Sequence, residues 1–165
     1  MLVHKVKKII DKVLMAFASL LTVLLVLGVM WQFITRFFLN DPSMFTDELM
    51  RFLLVWTALL GATYAFGTNQ HLAITFLKNK FQGIKLLVLT IIIDLITLGF
   101  AILIMIKGGF QVVGTTMSQL TPILKIPMGV IYSIVPICGI IIVIYKLLAV
   151  KEYPTLLHVD EGEVN

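Results

Sequence analysis

Asp94 is the only charge inside an otherwise apolar run, residues 86–106. An ionisable group within such a run is costly to bury and points by default to function. Taken as a helix, the run places Asp94 roughly 13 Å from its start at ~1.5 Å per residue, near the midplane of a membrane. Thr90 and Thr97 share its face. One reading makes Asp94 an ion- or proton-coupling carboxylate. The other makes it an acid hydrogen-bonded by those threonines or by another subunit, or kept protonated by burial. No basic residue falls inside any apolar run, so an ion pair within the chain is not expected. Coupling needs several converging polar groups, and a single acid favours the structural role.

Glu48 and Arg51 stand three residues apart before a second apolar run, where they would pair at the membrane edge. His4, His71 and His158 are scattered without metal-ligand spacing. The single Cys138 excludes a disulfide framework and dithiol chemistry within the chain. No Gly-rich phosphate loop, nucleophile elbow or zinc motif is present. The sequence therefore predicts no enzyme, no cofactor and no metal.

Residues of this kind need membrane helices to position them. The chain of 165 residues is 59% hydrophobic and 13% charged, against roughly 25% charged in soluble domains. This predicts an all-α integral membrane protein. Its formal charge of +4 reads as an orientation signal on loops, with no nucleic-acid partner.

The organising stretch is Thr46 to His71. Nineteen uncharged residues separate Arg51 from His71, enough to cross a hydrocarbon core of roughly 30 Å. Glu48, Arg51, Val55, Ala58, Ala62 and Ala65 fall on one helical face, with Trp56 and Gly61 beside it. Small residues let a second helix approach closely in a membrane. These eight residues are the candidate subunit interface, and no substrate-binding residue is expected in the chain.

Four spans are predicted, at about 13–35, 50–69, 86–106 and 128–145, in one membrane domain over residues 1–150. Residues 1–12 read as a short basic amphipathic helix suited to an anionic leaflet, or simply as a positive flank. Asn40, Asp41, Pro42 and Ser43 are turn residues, and Thr46 is positioned to cap the second helix. Residues 107–129 read as a polar connection and Pro136 as a kink. Residues 151–165 read as a flexible tail. Lys and Arg number nine on the side of the termini and four on the other, with Lys107 counted in the opposite loop. The positive-inside rule then places both termini in the cytoplasm.

Residues 47–71, DELMRFLLVWTALLGATYAFGTNQH, resemble the signature of the small membrane subunit, the Q subunit, of tripartite ATP-independent periplasmic (TRAP) transporters. An acid and an arginine precede Val-Trp, Leu-Gly-Ala follows, and a histidine opens the next loop. Thr121-Pro122, Ile126-Pro127-Met128-Gly129, Tyr132 and Pro136 match as well. Thr75 stands where an acid usually follows the histidine, so no role for that acid carries over. The resemblance implies a scaffold subunit in a bacterial inner membrane, paired with a large permease subunit. It implies that a periplasmic solute-binding protein delivers an organic acid, and that a sodium gradient drives uptake.

Two transporter-scale rivals stand beside this reading. A small four-helix exporter would need an embedded carboxylate in its first span, which has none, leaving Asp94 as a substitute. An assembly subunit of another membrane complex is the second. A quinone-linked disulfide enzyme needs cysteine pairs, which the chain lacks.

Overall fold

The computed structural model describes residues 2–68 and 84–149. The connection at 71–83 with His71 and Thr75, and the tail from 151 with His158, lie outside the described residues. Helix α1 runs Leu2–Phe37 and α2 runs Met44–Gly67. Helix α3 (Ile84–Phe100) passes into a π-helical stretch, Ala101–Gly108, and then α4 (Gly109–Thr116). Helices α5 (Met128–Tyr132) and α6 (Ile134–Ala149) complete the described residues. Among the described residues, four helical spans are long and apolar enough to cross a membrane: Lys5–Phe37, Met44–Gly67, Val88–Thr116 and Met128–Ala149.

The basic amphipathic segment is no separate helix. It forms the first turns of α1, whose 36 residues reach about 54 Å at ~1.5 Å per residue, well beyond a ~30 Å core. Ser43, rather than Thr46, caps α2: its hydroxyl accepts from the Thr46 amide at 3.4 Å. Asp47 occupies the first turn as expected, where the helix dipole favours an acid. The kink expected at Pro136 is a break at Ser133, between α5 and α6. Proline lacks the amide that would bond the Tyr132 carbonyl four residues back.

The third span overruns its expected end. Residues 107–116, read as connection, continue the helix. Gly108 and Gly109 look like loop residues, yet here glycine serves packing. A Cβ on Gly109 would lie 2.8 Å from Pro136 Cδ. A Cβ on Gly139 would lie 2.8 Å from Met105 Cβ and 3.3 Å from the Ala101 carbonyl. The π turns thus sit where α6 comes closest to the third span, a common place for such a widening.

Helix α6 is the centre of the chain. Its span is 44% buried, against 11% for each of the others. Ile134, Cys138, Ile142 and Tyr145 of α6 meet Leu60 of α2, Leu14 and Leu21 of α1, and Ala101 and Met105 of the π stretch in one core. Cys138 is fully buried there. Helix α1 lies on the outer side of α2, and Met50 fills the space that a side chain on Gly28 would need.

Candidate functional site

Polar contacts gather at the two ends of this bundle. One end holds the start of α1, the end of α2 and the end of α6, and is called the near end below. Tyr145 there donates its hydroxyl to Asp11 Oδ1 at 2.5 Å, and its ring occupies the space beside Gly67. One residue on, Lys146 Nζ pairs with Asp94 Oδ1 at 2.5 Å, with side chains only 6% and 16% exposed.

This pair overturns two expectations for Asp94. An in-chain ion pair was not expected, because Lys146 reads as the first charge of the tail. Helix α6 instead runs on to Ala149, which carries Lys146 into the bundle. Asp94 is also not at the midplane. Its partner Lys146 neighbours Tyr145, which meets Asp11, and Asp11 lies 21 residues from Gln32 along α1, about 32 Å at ~1.5 Å per residue. Asp94 therefore belongs to one boundary of the core. Thr97 does not serve it; that hydroxyl donates to the Ile93 carbonyl at 2.8 Å.

At the far end, Glu48 and Arg51 do not pair. Glu48 is 8% exposed and turns inward. Its Oε2 accepts the amides of Ile123 at 3.1 Å and Leu124 at 2.8 Å. The turn it binds is closed by Thr121 N to Ile126 O at 2.9 Å, Met128 N to Gln119 O at 2.8 Å and Ile126 N to Thr121 Oγ1 at 3.1 Å. Lys125 adopts φ 56° in that turn, a left-handed conformation uncommon for lysine. A carboxylate accepting two consecutive amides offsets that strain with two charge-assisted hydrogen bonds. Arg51 pairs instead with Asp47 at 2.5 Å, one turn back, and Gln32 donates to the other Asp47 oxygen at 2.8 Å. Arg51 is 74% exposed. The three-residue spacing is right for a pair, but a four-residue partner lay equally close and the amides of the turn competed for Glu48.

Trp56 donates its indole N–H to the Ile131 carbonyl at 2.9 Å, just before the α5–α6 break. Beside it a cavity of about 220 Å³ is lined by Leu21, Leu49, Phe52, Leu53, Trp56, Leu124, Ile126, Val130 and Ile131. It offers no charged group to an anionic substrate. The other candidate residues of α2 diverge from Glu48. Arg51, Val55, Ala58, Gly61 and Ala62 are exposed and Ala65 is half-buried.

Lys146, Asp11, Tyr145, Gln32 and the turn at 121–126 escaped the reading of residue types. Each acts through a partner 15 to 134 residues away. The signal for Lys146 was present: an acid near the start of one span and a lysine near the end of the next antiparallel span face the same membrane boundary.

Residues 25–152 match the family described as tripartite ATP-independent periplasmic transporters, DctQ component. A putative TRAP transporter small permease protein of Haemophilus influenzae is 29% identical over 163 residues, covering 99% of this chain and 97% of that one. The sialic acid TRAP transporter small permease protein of Vibrio cholerae is 38% identical over 79 residues, 48% of this chain and 42% of that one. Both motif regions that carried the resemblance, the α2 stretch and Thr121 to Pro136, lie within the matched residues and are joined in space by Glu48 and by Trp56. The chain belongs to the DctQ family and is the small membrane subunit of a TRAP transporter.

Proposed function

We propose that this chain is the scaffold subunit that pairs with a large permease subunit in sodium-driven uptake of an organic acid handed over by a periplasmic binding protein. The reading places it in a bacterial inner membrane with both termini cytoplasmic, and gives it no enzymatic activity. The observation that carries it is the outer face of α2, where Arg51, Val55, Ala58 and Ala62 are exposed. A side chain added at Gly61 would touch nothing within 4 Å. A face this smooth admits another helix closely.

The polar inventory supports the same reading. Asp11, Asp47, Glu48 and Asp94 are each held by partners inside the chain. An exporter built on Asp94 would need that acid turned toward its cargo, and it pairs with Lys146 instead. By sequence, the two termini and the connection between the second and third spans carry nine lysines, against Arg36, Arg51 and Lys125 on the other side, which supports cytoplasmic termini. The Vibrio cholerae relative is named for sialic acid, itself an organic acid, which supports that substrate class.

Reconstituted vesicles test the proposal. With the large subunit, the binding protein and an inward sodium gradient, labelled organic acid should accumulate. The chain alone should take up none. Robust uptake by the isolated chain, or uptake by the full set that ignores sodium, would overturn it.

A further inference from the structure

Lys107 lies 13 residues beyond Asp94, which sits at the near boundary, and nine before Thr116, the far end of its span. At ~1.5 Å per residue that is roughly 10 Å inside the far edge of a ~30 Å core. Its side chain is exposed, and no hydrogen bond or ion pair reaches it among the described residues. One turn on, Gln111 is exposed and its amide likewise meets no partner. Thr115 continues the same face with Gly114 beside it, its hydroxyl donating to the Gln111 and Val112 carbonyls at 3.1 Å. This polar stripe points away from α6, because Ala101, Met105 and Gly109 face inward.

A lysine at this depth is costly, and embedded charges face a bundle interior or a water-filled cavity rather than lipid. Here the interior of the chain lies on the opposite side. Escape to a headgroup is hindered twice. Helical side chains lean toward the helix N-terminus, which for Lys107 is away from the nearer boundary. Its four-carbon stem spans roughly 6 Å, short of that depth. The charge therefore needs a carboxylate brought to it by another span, with Gln111 and Thr115 offering further hydrogen bonds along the contact.

We infer that the Lys107–Gln111–Thr115 stripe is a second docking surface for the large permease subunit, and that its counterpart is a transmembrane helix bearing a carboxylate at the depth of Lys107. The inference rests on the pairing proposed above and adds a face of the third span to that of α2.

A photoreactive residue placed at 111, in tagged chain co-expressed with its large subunit, tests this. Leu95, 68% exposed on α3, serves as a second labelling position, and Lys107→Met, Lys107→Arg and Lys107→Glu are compared by the ratio of large subunit recovered. Position 111 should crosslink to a span of the large subunit. Lys107→Met should lower recovery tenfold or more, and Lys107→Arg should keep it within twofold. Lys107→Glu should be rescued by acid-to-lysine exchange in the crosslinked span. Because Lys107 is exposed and no hydrogen bond or ion pair reaches it among the described residues, the variants should elute as wild type when expressed alone. Normal recovery of the large subunit with Lys107→Met, or crosslinks from 111 to lipid or a second copy only, overturns the stripe while pairing stands. Failure of the wild type to recover any large subunit overturns both.

Discussion

Removing one member of the Asp94–Lys146 pair should cost more than removing both. A buried charge left without its partner typically costs about 3–5 kcal/mol, whereas replacing a whole buried pair by apolar groups is often neutral. Lys146→Met and Asp94→Leu should each lower the unfolding temperature in detergent, and the double variant should regain most of the loss. Equal losses that simply add would mean the pair is not coupled. Glu48→Ala should destabilise by about 1–3 kcal/mol, because two amides of the turn lose a charged acceptor. Limited proteolysis near Leu124 should report it, while Arg51→Ala, breaking an exposed pair worth at most about 1 kcal/mol, should leave the turn protected. At this scale the sequence marked Asp94, Glu48 and Arg51 as special but not their partners. Spacing along one helix cannot report a lysine 52 residues away or a turn 75 residues away.

Helices α1 and α2 and the final span were legible because apolar runs of about 20 residues leave few alternatives in a membrane. The end of the third span was not, since Gly108-Gly109 means a loop by composition and a close helix crossing by packing. Gly139→Val would put methyl groups into Met105 and the Ala101 carbonyl. Overpacking of this kind costs typically 1–3 kcal/mol, so the variant should lower the unfolding temperature. Gly61→Ala, on an open face, should not lower it. Thermal unfolding monitored by helix content compares the two, and equal losses would show that Gly139 is not at a tight crossing.

Taken whole, the bundle holds Asp11, Asp47, Glu48 and Asp94 in contacts of its own and leaves outward the small face of α2. The proposed orientation rests on the lysines: a reporter fused at 78 should read cytoplasmic and one at 119 periplasmic, and the reverse would invert the molecule. The fold class, the number of spans and the family could be read from hydropathy and from two motif stretches. The role of those stretches could not, because Glu48 and Trp56 join them only in three dimensions. The most direct measurement is the ratio of large permease subunit recovered with tagged chain, wild type against Ala62→Leu. Ala62 is exposed in its own helix, so leucine should leave the isolated chain folded while blocking close approach of a partner helix. The account predicts a fixed ratio for the wild type and a several-fold loss, with loss of uptake, for Ala62→Leu. A wild-type ratio and wild-type uptake with Ala62→Leu would contradict it and turn the α2 face toward lipid.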